Sequence, residues 1–438
     1  MLDILSPDHF FALEARAREL KATAKRHVKK GELDLALAVV LKLLDLRRRL
    51  LADDPDDNDF LYDLSVTLDG LGDLQRDRGE INAAFAAFED AVATARVLLV
   101  REPDDGATMR ILCSSLDSIG RIHDARADVE LALAAYNECV ALGRRIIASE
   151  AGDENDLWLL RFSLSKLSHV HEKRGEPHLA LAAFRESVTL SRELAARDPD
   201  DRGALVSLAY GLRNVGRTHA DLEQHDLARA ALEESLAISR RCLEDGPDEP
   251  CALYHVAETL RTLGNVHEAV GAHAHAAAAY EESIALLRRV DAPERDELNA
   301  LRELAIALDN LGSLRHDQGE LAPAYAAYEE SIALLRRLLA GDPEAPRACR
   351  DLTITLNNFA EVHREEGNLR RARALHEEAL GLRRALLARK PDRALYLTDL
   401  AGTLARLAEI YSAQGDAERA RAFEEESRAL SRRGAVEA

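Results

Sequence analysis

The sequence predicts an all-α protein, a right-handed solenoid of nine helical hairpins with about 18 antiparallel helices. Three observations lead there: a 48-residue period that runs without a gap, apolar stripes of helical spacing on both sides of a recurring turn, and a composition suited to helices. Two segments show the period directly. LGDLQRDRGEINAAFAAFEDAVATARVLLVREP begins at Leu71 and LGSLRHDQGELAPAYAAYEESIALLRRLLAGDP at Leu311, five periods later. Fixed-period self-similarity of this length marks a repeat architecture rather than separate globular lobes.

Anchored on Gly79 in the stretch DRGEI, steps of 48 give Gly31, Gly79, Ala127, Gly175, Glu223, Gly271, Gly319, Gly367 and Gly415. Seven of the nine are glycine, which suits a tight connection needing a positive φ. Eleven residues before the anchor stands leucine every time, from Leu20 to Leu404. Seven before it the residue is always small, and five after it is always alanine, from Ala36 to Ala420. Nine after it a bulky residue is usual, as in Phe88, Tyr136, Tyr280 and Tyr328. Offsets −11, −8, −7 and −4, and then +5, +6, +9, +12 and +13, follow the i, i+3, i+4, i+7 stripe of an amphipathic helix. Each unit therefore reads as helix A, a tight turn, then helix B. A second break at +24 carries Pro55, Pro103, Pro199, Pro247, Pro343 and Pro391, mostly followed by an acid that suits the next helix's N-terminal dipole.

Of the 438 residues, 47% are hydrophobic, 31% charged and only 4% aromatic. Alanine, leucine and long charged side chains lose little in a helix. The formal net charge of −20 would repel a phosphate backbone or an anionic bilayer, so neither nucleic acid nor membrane is an expected partner. The five cysteines are scattered, with no CxxC spacing, so neither a disulfide framework nor structural zinc is expected. The start, MLDILSPDHFFALEARAREL, lacks a basic-then-apolar leader, and no apolar run reaches about eighteen residues. A cytoplasmic protein is expected.

Leucine, small residue, loop glycine, alanine and aromatic at these offsets resemble the tetratricopeptide repeat. The resemblance covers residues 1–433, leaving 434–438 as a short tail. The family's usual unit is about 34 residues. The extra length divides into roughly seven residues per helix, close to two turns, so both helices lengthen without rotating their buried faces. This resembles a long-repeat variant of bacterial signalling and effector-associated proteins. Offset −4 departs from the family, with histidine (His27, His123, His171, His219, His267, His363) where tyrosine is common.

A residue type that recurs in every unit builds the unit, whereas a binding site belongs in exposed columns where the units differ. By that criterion the arginines at +17, from Arg48 to Arg432, are structural, paired with the acidic turn near +25 or mixed with the acids at +11. The −4 histidines are a whole repeat apart and read as fillers of the hairpin interface. No P-loop, GxGxxG, GxSxG or HExxH pattern occurs, so no catalytic residue, cofactor or metal is expected.

Offsets −13, −10, −9, −6 and −2 are expected to face the concave groove lined by the A helices. They present Phe162 and Tyr210, then Arg213, Asn214 and Arg217, then Arg261, Asn265, Asn310, Asn357 and Asn358. Asparagine can donate to and accept from an extended peptide backbone, and arginine can grip a carboxylate. Arg261, Asn265 and Asn310 resemble part of a carboxylate clamp seen in some peptide-binding members of the family, although Ile354 and Asn358 stand where further cations would complete it. The expected function is a non-enzymatic scaffold that holds an acidic or polar peptide segment, or a partner domain, in this groove. The alternative is a self-assembling module, with monomer or homodimer both compatible. The charged last helix AERARAFEEESRALSRR reads as a solvating cap, and Phe10, Phe11 and Leu13 as an apolar cap or docking cluster.

Overall fold

The computed structural model describes residues 7–149, 153–290, 294–343, 345–391 and 393–437. Every element among them is an α-helix. The chain forms two compact units, Met1–Leu222 and Glu223–Ala438, and the division falls in the turn of the fifth repeat.

The first unit holds α1 (Pro7–Lys29), α2 (Leu33–Asp53), α3 (Asn58–Asp77), α4 (Ile81–Arg101), α5 (Gly106–Arg126), α6 (Val129–Ala148), α7 (Glu154–Arg174), α8 (Pro177–Arg197) and α9 (Arg202–Asp221). The second holds α10 (His225–Asp245), α11 (Pro250–Ala269), α12 (His273–Leu287), α13 (Glu294–Asp317) and α14 (Leu321–Gly341). It continues with α15 (Pro346–Glu365), α16 (Leu369–Arg389), α17 (Ala394–Ala413) and α18 (Ala417–Glu437). Odd-numbered helices are the A helices and even-numbered ones the B helices. In both units each helix packs on the next, so every hairpin is covered by its neighbour.

The repeated columns are the core. All nine leucines at −11 are buried, from Leu20 to Leu404, and eight of the nine alanines at +5 have no exposed surface. The small residue at −7 accommodates the ring at +9 of its own hairpin. A Cβ built on Gly72 would lie 2.5 Å from the Phe88 ring, and one on Gly264 would lie 2.4 Å from Tyr280. Ring shape, more than backbone approach, therefore fixes the small residue there.

All nine anchors adopt positive φ, including Ala127 at 67° and Glu223 at 58°. The residue at +1 donates its N–H to the carbonyl at −4, as Glu80 does to Gln75 and Glu320 to Arg315, both at 2.8 Å. This six-residue closure ends helix A and starts helix B within three residues. The −4 side chains bridge the same turn: His27 reaches Glu32 at 2.6 Å, His171 reaches Glu176 at 2.7 Å, and Arg315 reaches Glu320 at 2.8 Å. At the other end of the hairpin the capping residue stands at +26. Asp57 and Asp105 accept from Phe60 and Thr108 backbone N–H groups at 3.0 and 2.9 Å.

The +17 arginines pair with the +11 acids of the following repeat, not with the acidic turn. Arg96–Glu138 and Arg144–Glu186 lie at 2.7 and 2.5 Å in the first unit. Arg288–Glu330, Arg336–Glu378 and Arg384–Glu426 each lie at 2.8 Å in the second. The turn is instead held by the neighbouring arginine at +18, as Arg145 donates to the Pro103 carbonyl at 2.6 Å and Arg289 to that of Pro247 at 2.8 Å. Each exposed rung contributes about 0.2–1 kcal/mol, and its regular recurrence keeps successive B helices in register.

Leu13 packs on the first hairpin with Ala17, Leu20 and Leu43. The side chains of Phe10 and Phe11 lie outside the described residues. Helix α18 runs through Gly434, which sits against Leu397, so the helix occupies most of the stretch read as a tail.

Candidate functional site

The A helices of the second unit carry a polar cleft of about 550 Å³. Asn265, Glu268 and Ala269 line it from α11, His273 and Tyr280 from α12, Asp309, Asn310, Ser313 and Asp317 from α13, and Asn358 from α15. Three residues expected in the groove, Asn265, Asn310 and Asn358, thus share one site. They stand at −6, −9 and −9, so the helical repeat presents them on one side of three consecutive A helices.

Hydrogen bonds join the cleft wall across repeats. The Asn310 amide donates to Asn265 Oδ1 at 2.8 Å, and the Asn358 amide donates to Asp309 Oδ2 at 3.0 Å. The Tyr280 hydroxyl lies 2.8 Å from both Asn265 Oδ1 and Glu268 Oε2, one proton facing two acceptors. Burial and the Glu268 carboxylate hold that phenol well above its ordinary pKa, so it stays a donor. Asp309 is 7% exposed, takes hydrogen bonds from the Asn358 amide and the Thr355 hydroxyl, and has no salt-bridge partner among the described residues. Burial pushes its carboxyl up to about 6, a rise that the Thr355 and Asn358 side chains offset only in part.

The other expected residues are placed differently. Arg261 pairs with the buried Glu303 at 2.9 Å, a seam contact between adjacent A helices. Asn357 is buried, donating to Thr403 Oγ1 at 3.2 Å and meeting His376 Nδ1 at 2.7 Å. In the first unit Arg217 pairs with Glu172 at 2.6 Å. Arg213 and Asn214 are buried in α9, with the Arg213 guanidinium over the Tyr210 ring at 5.1 Å. The Tyr210 hydroxyl meets His169 Nε2 at 2.9 Å. Phe162, 40% exposed, lies under the Lys166 ammonium at 4.9 Å. These arginines are thus engaged by neighbouring side chains, and four of the nine residues at offset −10 are buried polar groups: Asp69, Arg213, Asp309 and Asn357 are all under 10% exposed.

Glu268, His273 and Tyr280 were not among the residues expected to line the groove. Tyr280 belongs to the architectural column at +9, and only its hydroxyl reaches the cleft. A second, smaller cavity of about 260 Å³ lies between α15 and α17, with Asn357, Asn358, Arg383 and Arg406 in its lining. Arg383 is buried, and desolvation lowers its guanidinium to about 10. It donates to Thr353 and Thr403 Oγ1 at 3.1 and 2.6 Å. Among the described residues no cluster of His, Cys, Asp and Glu is arranged to hold a metal ion, and no helix is long and apolar enough to cross a membrane.

Family models described as Tetratricopeptide repeat match residues 205–289, 353–391 and 400–434. A model described as Anaphase-promoting complex subunit 5 matches 57–121, 147–198 and 291–338. No curated protein matches the chain. Among solved structures, the apo form of RapI is similar at 12% identity, covering 95% of this chain and 97% of that one, with a TM-score of 0.55. Aspartyl phosphate phosphatase F from Bacillus subtilis is similar at 13% identity, covering 98% and 96%, with a TM-score of 0.51. At these identities the likeness is one of fold.

Proposed function

This chain is a tetratricopeptide-repeat protein, and we propose that it is a non-enzymatic interaction scaffold that holds a polar peptide segment of a partner on the A-helix face of its second unit. One observation carries this reading: Asn265, Asn310 and Asn358 converge on an open polar cleft, at columns where the repeats differ and the architecture asks for nothing in particular. Their amides have hydrogen-bonding capacity left after the bonds within the wall, and an extended backbone offers a donor and an acceptor at every residue. With Arg217 and Arg261 engaged by Glu172 and Glu303, recognition rests on these amides rather than on a carboxylate grip. The long repeats suit a role in bacterial signalling or effector regulation.

The test is selection of binding peptides from a displayed 15-residue library on the purified full chain, followed by titration of the selected peptide against Asn265→Ala/Asn310→Ala/Asn358→Ala. Three neutral hydrogen bonds at about 0.5–1.5 kcal/mol each predict a loss of roughly tenfold or more with helicity unchanged. Unchanged affinity in the folded triple variant would refute the assignment of the cleft.

A further inference from the structure

The cleft has more acceptors and negative charge than its own residues can use. Glu268, Asp309 and Asp317 line it, no lysine or arginine does, and His273 is its one lining base among the described residues. The neighbouring seam of the same unit is built differently. Its half-buried or buried acids each have an arginine: Glu303 meets Arg261 at 2.9 Å, Asp351 meets Arg302 at 2.5 Å, and Asp399 meets Arg350 at 2.7 Å. Asp309, as buried as Glu303, has the Asn358 amide and the Thr355 hydroxyl as donors but no cation among the described residues. A carboxylate removed from water without a cation or a full set of donors is costly to keep. Tyr280 repeats the imbalance, since its single proton cannot satisfy both Asn265 and Glu268.

Resting on the scaffold reading above, we infer that the cleft between α11, α13 and α15 is a subsite for a basic side chain, the guanidinium or ammonium of an arginine or lysine in the bound segment. Such a group brings what the wall lacks. A guanidinium carries five N–H donors and an ammonium three, with no acceptor, and either brings a positive charge toward Asp309, Glu268 and Asp317. A cleft of about 550 Å³ is within the range of ligand sites and has room for a long side chain with part of its backbone. The Asn265, Asn310 and Asn358 amides are then left to the flanking peptide groups.

The experiment uses the peptide selected on the wild-type full chain, its counterpart with each basic residue replaced by alanine, and the variants Asp309→Asn and Glu268→Gln, both checked for wild-type circular dichroism. Expected is a basic residue in the selected sequences whose replacement weakens binding at least tenfold. Asp309→Asn is expected to weaken the parent peptide by a similar factor while leaving the alanine counterpart within twofold, and Glu268→Gln to act in the same direction. Selected peptides that bind without a basic residue, or an Asp309→Asn effect equal for both peptides, would overturn the subsite. The scaffold reading would still stand in that case if the asparagine triple variant abolished binding. A peptide that keeps full affinity for the triple variant removes the cleft from both readings, and so does a library that yields no binder.

Discussion

Replacing Asp309 by asparagine should make the protein more stable and a poorer binder at once. The substitution keeps the shape and an oxygen acceptor for Asn358 but deletes the charge. Burial raises the Asp309 carboxyl from an ordinary 3.8 to about 6. Roughly two pKa units at 1.36 kcal/mol each mean that at neutral pH the folded state bears on the order of 3 kcal/mol for keeping this group ionised. A neutral amide oxygen accepts less strongly than a carboxylate, which returns about 1 kcal/mol. The net expectation at pH 7 is a gain of about 1–2 kcal/mol. Because the folded pKa lies above the unfolded one, the wild type's deficit is absent below about pH 4 and grows as pH rises to about 6, where it levels off. The gain on Asp309→Asn should therefore shrink as the pH falls toward 4. Urea denaturation followed by circular dichroism at pH 7 and near pH 4.5, with midpoints compared at each, measures it. A variant less stable than wild type at pH 7, or a gain that does not shrink in acid, would refute the argument that Asp309 is an uncompensated charge.

Four further outcomes follow from the repeat geometry. Ala127→Gly and Glu223→Gly relieve the left-handed strain of the two non-glycine anchors, and each should raise stability by about 1 kcal/mol in thermal denaturation. Gly72→Ala drives a methyl to within 2.5 Å of the buried Phe88 ring and should cost roughly 1–3 kcal/mol, whereas Gly312→Ala, at 3.3 Å from Tyr328, should cost clearly less in the same assay. Arg336→Ala removes one rung of the B-helix ladder and should change stability by under about 1 kcal/mol, an effect that salt erases. Native-state alkylation should modify Cys251 quickly and leave Cys113 and Cys139 unmodified, because both are fully buried and the Cys139 thiol is held well above its ordinary pKa by Cys113 and by burial.

The architecture could be read from sequence because each repeat imposes the same burial on the same column nine times. Leu20 through Leu404 and Ala36 through Ala420 report one environment repeatedly, so the helices, their turns and their buried faces follow from counting. The cleft was harder to see, since its residues are defined by contacts between repeats that a period cannot encode. Arg261 and Asn265 are four residues apart and look alike as exposed polar positions. Only packing against α13 shows that Arg261 is engaged by Glu303 while Asn265 faces the open cleft. Offset −10 misled for the same reason. It varies among repeats as a binding column would, but some of its members close polar pairings between A helices, Asp69 with Ser115 at 2.7 Å and Asn357 with Thr403 at 3.2 Å. The partner of the +17 arginines was likewise set by the stagger between successive B helices, which brings +11 of the next repeat closer than the acidic turn.

The most direct measurement is an NMR titration of the labelled full chain with the selected peptide, following the side-chain amide signals of asparagine. Asn265, Asn310 and Asn358 should shift together, with neighbouring backbone signals of α11, α13 and α15 and with little change in the B helices. Shifts confined to the B helices, or to exposed leucines such as Leu131 and Leu179 at their starts, with the three asparagines unmoved, would contradict that expectation.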